Sequence, residues 1–192
     1  MTAVIVVCTG NVCRSPIAEG LVRRATEHRA ARSGITVSSA GTAGWEGSPA
    51  MPEAVEAAAE RGVDISGHVA TRLRPGMAAD ADLVLCMAGE HRDLIASDEP
   101  EAADRTFTLK ELVRLLEGGA RAAATPADRI AAAAAARPGA KRTEHEDEDI
   151  ADPLGLPLDG YRAIASELDG WIGRLVPALF DPASVTLVSG DT

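Results

Sequence analysis

Residues 2–7, Thr-Ala-Val-Ile-Val-Val, form a continuous apolar and partly β-branched run in which polar and apolar positions do not alternate. A strand with one wet face alternates, so this run belongs to a strand covered on both faces. Such strands occur inside parallel sheets sandwiched between helices, which leaves few architectures open. The next residues agree. Residues 8–14 form a loop containing Gly10, and Ser15-Pro16 sets a helix start, with Ser as cap and Pro at the first helical position. Ile17, Ala18, Leu21, Val22 and Ala25 then recur at helical spacing, with Arg23, Arg24 and Glu27 on the other side.

The strand and helix pattern repeats. Residues 35–38 read as a strand, 52–61 as an Ala-rich helix closed by Gly62, 83–86 as another buried strand and 105–107 as a short fourth one, leading into a helix over 108–116. This alternation predicts a parallel sheet with helices on both faces and right-handed crossovers. From 117 to 150 the composition changes, with Gly118-Gly119, alanine from 131 to 136, Pro138-Gly139 and acidic residues at 144 and 146–149. The alanine run predicts one short helix and its flanks a mobile surface loop. Tyr161, Ile164, Leu168, Trp171, Leu175 and Leu179 mark a last amphipathic helix over 158–178. The expected organisation is a single domain over 1–180 with an Ala-rich, acidic insertion at 117–150, then a loosely held tail at 181–192.

Formal net charge is −10, so no basic footprint awaits a nucleic-acid backbone. No basic leader precedes the first strand and no apolar run reaches the about 18 residues of a membrane span, so a cytoplasmic protein without a membrane partner is expected, as a monomer or weak dimer. Cys8, Cys13 and Cys86 are too few and too unevenly placed for a disulfide scaffold. No His/Asp/Glu set has metal-ligand spacing, and neither metal nor cofactor is expected.

The chemistry concentrates in Cys8-Thr9-Gly10-Asn11-Val12-Cys13-Arg14-Ser15, a cysteine and an arginine separated by five residues between a strand and a helix. Ligands of doubly wound sheets bind beyond the carboxyl ends of strands, where a helix N-terminus favours anions. A loop curling there can turn successive N–H groups inward as an anion nest, and Gly10 and Asn11 best tolerate the left-handed backbone this needs. Arg14 adds a planar fork for two phosphate oxygens. A cysteine in that positive potential is expected as thiolate at neutral pH, poised to attack phosphorus in line. A Cys-x5-Arg spacing alone occurs by chance, and a cysteine at a strand end is often a small buried hydrophobe; the strand, Gly-Asn pair, Ser-Pro and helix together carry the catalytic reading.

The stretch Val-Cys-Thr-Gly-Asn-Val-Cys-Arg-Ser-Pro-Ile-Ala-Glu resembles the signature of the low-molecular-weight protein tyrosine phosphatases. The likeness continues through Ser38-Ser39-Ala40-Gly41-Thr42, residues 62–70, residues 82–87 and Asp152-Pro153-Leu154-Gly155. The resemblance implies a flavodoxin-like three-layer α/β sandwich with a four-stranded parallel sheet in order 2-1-3-4. It implies two-step hydrolysis of a phosphorylated protein through a cysteinyl-phosphate on Cys8, with Thr9, Gly10, Asn11, Val12, Cys13, Arg14 and Ser15 around the phosphate. It assigns Asp152 as the general acid and then base, a role that an Asp-Pro turn opener would not otherwise indicate. Ser39 and His68 match positions that hold the loop asparagine, and Trp45 matches an aromatic wall of the substrate pocket. The opposite wall departs from the family's aromatic residues, with Leu154-Gly155 after Asp-Pro. Val12 occupies a slot that is Ile or Val in tyrosine-directed members and Thr in arginine-phosphate-directed ones, so phosphotyrosine leads and phosphoarginine is the alternative.

Further alternatives are an arsenate reductase, disfavoured because Cys86 alone lies near the third strand's end, and a non-catalytic phosphate-binding module, which would need neither Cys8 nor Asp152. Cys13 either packs the loop or closes a protective disulfide with Cys8 under oxidation. The acidic residues 144 and 146–149 either raise the proton affinity of Asp152 by their field or form a solvated, screened loop. His28, His91 and His145 read as surface residues.

Overall fold

The opening run becomes β1, Thr2–Cys8, and it is indeed covered on both faces: Val4, Val6 and Cys8 join one core, Ile5 and Val7 the other. The structure, a computed structural model, describes residues 2–137 and 148–181, and the side chains of all of these except 28–33. His145, Glu144, Glu146, Asp147, the side chain of His28 and the tail beyond Asp181 lie outside the described residues.

β1 pairs in parallel with β2, Ile35–Gly41, on one side and with β3, Leu83–Cys86, on the other, and β3 pairs with β4, Thr106–Thr108. The sheet order is β2-β1-β3-β4, as expected of a flavodoxin-like α/β fold. β2 runs to Gly41, past the expected end at Ser38, because Ser39, Ala40 and Gly41 stay in register with Val6, Val7 and Cys8. β4 begins one residue later than the sequence indicates.

The helices are α1 (Arg14–Ser33), α2 (Pro52–Ala59), α3 (Gly89–Asp98), α4 (Leu109–Glu117), α5 (Pro126–Ala136) and α6 (Leu158–Phe180). α6 packs on α1, α2 and α4, so the larger core lies on their face of the sheet. α3 and the 3-10 turn Pro100–Arg105 cover the other face, contributing Ile95 and Ala102. α3 has no counterpart in the sequence reading: Gly89, His91 and Ile95 are its buried residues, too sparse a stripe to show as helical periodicity. α4 opens on a capping box between Thr108 and Glu111.

Two local expectations are corrected. α1 begins at Arg14, which puts Ser15 and Pro16 inside its first turn; the Ser15 hydroxyl bonds Asn11 and Cys8 in the preceding loop and does not cap the helix. Residues flanking the alanine run are not wholly surface loop where described, since Ala120–Ala122 form a 3-10 turn. Ala120, Ile130, Ala133 and Ile150 are buried, and Arg129, 1% exposed, donates to the carbonyls of Ala178, Leu179 and Asp181 at the end of α6. The small alanine side chains let α5 approach α4 and α6.

β2 ends against the loop after β1 with no room to spare. A Cβ built on Gly41 would stand 2.5 Å from the Thr9 carbonyl oxygen and 2.9 Å from the Asn11 nitrogen, both rigid backbone atoms. Gly41→Ala is expected to destabilise the protein by about 1–3 kcal/mol, the range for overpacking a tight interior, and to lower turnover by displacing loop 8–14. Urea unfolding and an aryl-phosphate assay check both effects.

Candidate active site

Loop 8–14 leaves the carboxyl end of β1 and curls with its carbonyls outward. The oxygens of Cys8, Thr9, Gly10 and Val12 accept from the backbone N–H groups of Thr42, Ala43, Trp45 and Met51 at 2.9–3.0 Å. The Asn11 oxygen lies 2.8 Å from His68 Nε2, so that nitrogen carries the proton and donates. A peptide plane whose C=O points out turns its N–H in. The Asn11 N–H does so, 3.3 Å from Cys8 Sγ.

Asn11 is the turning point, with φ +56°, the positive value among described non-glycine residues. Gly10 stays at negative φ, contrary to expectation; its missing side chain leaves space beside Trp45. An asparagine tolerates the left-handed region better than most residues, and here both polar atoms of its amide are used. Nδ2 donates to Ser15 Oγ and Ser39 Oγ, each at 2.9 Å, and Oδ1 accepts from Thr71 N at 2.7 Å. Ser39 in turn donates to Glu19 Oε2 at 2.5 Å, and Glu19 pairs with Arg23. Ser15 Oγ, with a lone pair committed to Asn11, lies 3.0 Å from Cys8 Sγ and can give that sulfur its hydrogen.

Arg14, 4% exposed, sends Nη1 to the Ile150 carbonyl at 3.0 Å and Nη2 to Thr9 Oγ1 at 3.2 Å and Asp152 Oδ2 at 2.5 Å. Asp152 Oδ1 accepts from Leu154 N at 3.1 Å, and its side chain remains 42% exposed. Cys8, Thr9, Gly10, Val12, Cys13, Arg14, Trp45, Asp152 and Leu154 all line one cavity of about 160 Å³. A larger groove of about 750 Å³ runs along α1 and residues 62–69 and contains neither Cys8 nor Asp152. Trp45 and Leu154 stand half exposed at the mouth of the small cavity. Ser39 and His68 lie behind it, on Asn11.

Residues 3–130 match the profile of the low molecular weight phosphotyrosine protein phosphatases. The chain belongs to this family. The protein-arginine-phosphatase of Geobacillus stearothermophilus is 34% identical over 176 residues, 92% of this chain and 95% of the relative. A probable low molecular weight protein-tyrosine-phosphatase, EpsP of Ralstonia solanacearum, is 40% identical over 109 residues, 57% of this chain and 71% of the relative. The crystal structure of a low molecular weight protein tyrosine phosphatase from T. tengcongensis superposes with TM-score 0.70 at 37% identity, covering 93% of this chain and all of that one. The protein is thus a cysteine-based phosphatase whose substrates are phosphorylated proteins.

Other predicted groups of this phosphatase sit around or away from the cavity. Cys13 is a buried free thiol 3.8 Å from the Tyr161 hydroxyl, and burial pushes it up to about 11. Cys86 is fully buried in the core on the far side of β3, where desolvation raises it further. Glu148 pairs with Arg92 and Arg114, and Asp149 accepts from the Gly89 N–H at the start of α3 at 2.7 Å. The two described members of the acidic stretch are therefore engaged in docking their segment. His91 is not a surface residue. It is 2% exposed, with Nε2 3.0 Å from Thr9 Oγ1. The one sequence signal for it is its place just beyond the carboxyl end of a buried strand, where sites of such sheets collect.

Asn11→Gly keeps the left-handed backbone and loses only the amide contacts, whereas Asn11→Ala loses both, so the alanine variant is expected to be less stable by about 1–2 kcal/mol in denaturant unfolding. Iodoacetamide at about pH 7.5 is expected to alkylate Cys8 and spare Cys13 and Cys86, whose raised proton affinities keep them as thiols far above that pH; peptide mass spectrometry checks the sites.

Proposed function

We propose that this chain hydrolyses phosphotyrosine in proteins, with Cys8 as nucleophile and Asp152 as proton donor. Cys8 Sγ attacks phosphorus in line, the S–P bond forming as the bond to the phenolic oxygen breaks, and the Asp152 carboxyl gives its proton to the departing oxygen. Asp152, now carboxylate, takes a proton from the water that cleaves the cysteinyl-phosphate, releasing inorganic phosphate and restoring both groups. The inward amides and the Arg14 fork stabilise the equatorial oxygens. The observation that carries this reading is that Cys8 and Asp152 line the same small cavity as Arg14, which is bonded to Asp152. Asp152 lies beyond the span matched by the family profile, so its role rests on this geometry and on the resemblance around Asp152-Pro153.

Apolar Val12, Trp45 and Leu154 support an aryl substrate, because a flat ring can lie between Trp45 and Leu154 with no polar group left unpaired. The second reading, phosphoarginine, is favoured by the match to the Geobacillus arginine phosphatase over nearly both whole chains. Arsenate reduction is disfavoured by Cys86, buried on the far face of β3, where it cannot relay a disulfide from Cys8. A cytoplasmic protein of one domain over 1–180, monomeric or weakly dimeric and without nucleic-acid or membrane partners, goes with this reading. A net charge of −10 supports the part of it that concerns nucleic acid, whose phosphate backbone it would repel.

Turnover of phosphotyrosine, phosphoarginine and phosphoserine peptides tests the proposal, with phosphotyrosine expected to lead and phosphoserine to be poorest. Cys8→Ser is expected to abolish turnover and Asp152→Ala to lower kcat by about 10²–10⁴-fold, most for the least acidic leaving groups. A fully active Cys8→Ser enzyme would sink the mechanism.

A further inference from the structure

The imidazole of His91 stands in the first turn of α3 with one of its nitrogens against the phosphate loop. Nε2 is 3.0 Å from Thr9 Oγ1, and the same oxygen accepts from Arg14 Nη2 at 3.2 Å. A guanidinium only donates, so Thr9 must offer Arg14 a lone pair. Whichever ring nitrogen carries the proton, a partner at 3.0 Å selects one of the staggered Thr9 rotamers and keeps that lone pair turned to Arg14.

Arg14 Nη2 is shared between Thr9 and Asp152. Freeing the Thr9 hydroxyl leaves Asp152 as the remaining partner of that nitrogen, and a guanidinium drawn onto the carboxylate is held away from the phosphate oxygens it must meet. The acid is compromised too, because a carboxylate drawn onto Arg14 is turned from the leaving oxygen it has to reach. The Thr9 contact therefore acts on both halves of the transfer.

We propose that His91 is a positioning residue for phosphoryl transfer, setting the Arg14 guanidinium through the Thr9 hydroxyl. The inference rests on the cysteinyl-phosphate reading and deepens it. Burial agrees with the assignment: the ring is 2% exposed and Nδ1 has no hydrogen-bond partner, so a residue serving packing alone would fill this space better as an apolar side chain. The charged groups around it are Arg14, Asp149, Asp152 and the exposed Glu90, whose Oε1 is 3.5 Å from Nε2. Burial first, and the Arg14 charge second, press the imidazole down to about 4, so at neutral pH it adds no second positive charge beside Arg14.

The test compares two polar replacements. His91→Gln carries its terminal amide about where Nε2 stands, and His91→Asn about where Nδ1 stands. With an aryl phosphate, His91→Asn is expected to lose about tenfold in kcat/KM, the size of one hydrogen bond, and His91→Gln to recover to within about threefold of wild type, at similar melting temperatures. Thr9→Val should show the same loss, and adding His91→Leu to it should cost less than about twofold more, since the relay is already broken. Equal activity of the Gln and Asn variants, a Thr9→Val enzyme at wild-type rate, or full additivity in the double variant would each overturn the inference. Cys8→Ser separates the two levels. If that variant keeps turning over, the mechanism itself fails; if it is inactive while the His91 variants run at wild-type rate, only the positioning role falls.

Discussion

The site depends on outward carbonyls. From Cys8 to Val12 each backbone oxygen of the phosphate loop is taken by a donor outside the loop, and planar peptides then have their N–H groups facing the hollow. Such a curl cannot close without a left-handed residue, and Asn11 supplies it while its amide bonds Ser15, Ser39 and Thr71. Strain of this kind persists only where surroundings over-determine it. Here the surroundings are β2 extended to Gly41, the chain from Thr42 to Met51, and His68, so loop, second strand and the 62–71 segment stand or fall together.

The second half of the site arrives from far along the chain. In the order β2-β1-β3-β4 the connections from β1 and β3 leave to opposite sides, opening a crevice at their carboxyl ends. Ile150 N donates to the Met87 oxygen just past β3 at 2.7 Å, Asp149 bonds the first N–H of α3, and Arg14 holds the Ile150 carbonyl. These contacts set Asp152 at the cavity mouth. Glu148 and Asp149 tie this segment to Arg92, Arg114 and the α3 terminus.

A protein of net charge −10 that binds phosphate presents an apparent conflict. Distance resolves it. Exposed charges are screened within about 8–10 Å at physiological salt, and many of the carboxylates are paired on the surface, as in Arg162 with Glu56, Glu60 and Asp159 and Arg174 with Glu117. The cavity answers to its own amides and to Arg14, a nearly buried cation whose field is little screened. Net charge thus bears on partners such as nucleic acid and says little about one enclosed anion.

By itself the sequence determined what is local or periodic. The unbroken apolar run at 2–7 required a strand covered on both faces, the spacing of Cys8, Asn11 and Arg14 between strand and helix marked an anion loop, and the alanine run and the 158–178 stripe marked helices. These are decided by neighbours within a few residues, so they survive in one dimension. Only the tertiary structure decided that His91 is buried against Thr9, that Ser15 turns back on the loop, that α3 exists despite its sparse apolar stripe, and that Asp152 shares a cavity with Cys8 from the far end of the chain. Those facts depend on which strand ends meet at the crevice, and a polar residue's surroundings across such a gap leave no imprint on its own stretch of chain.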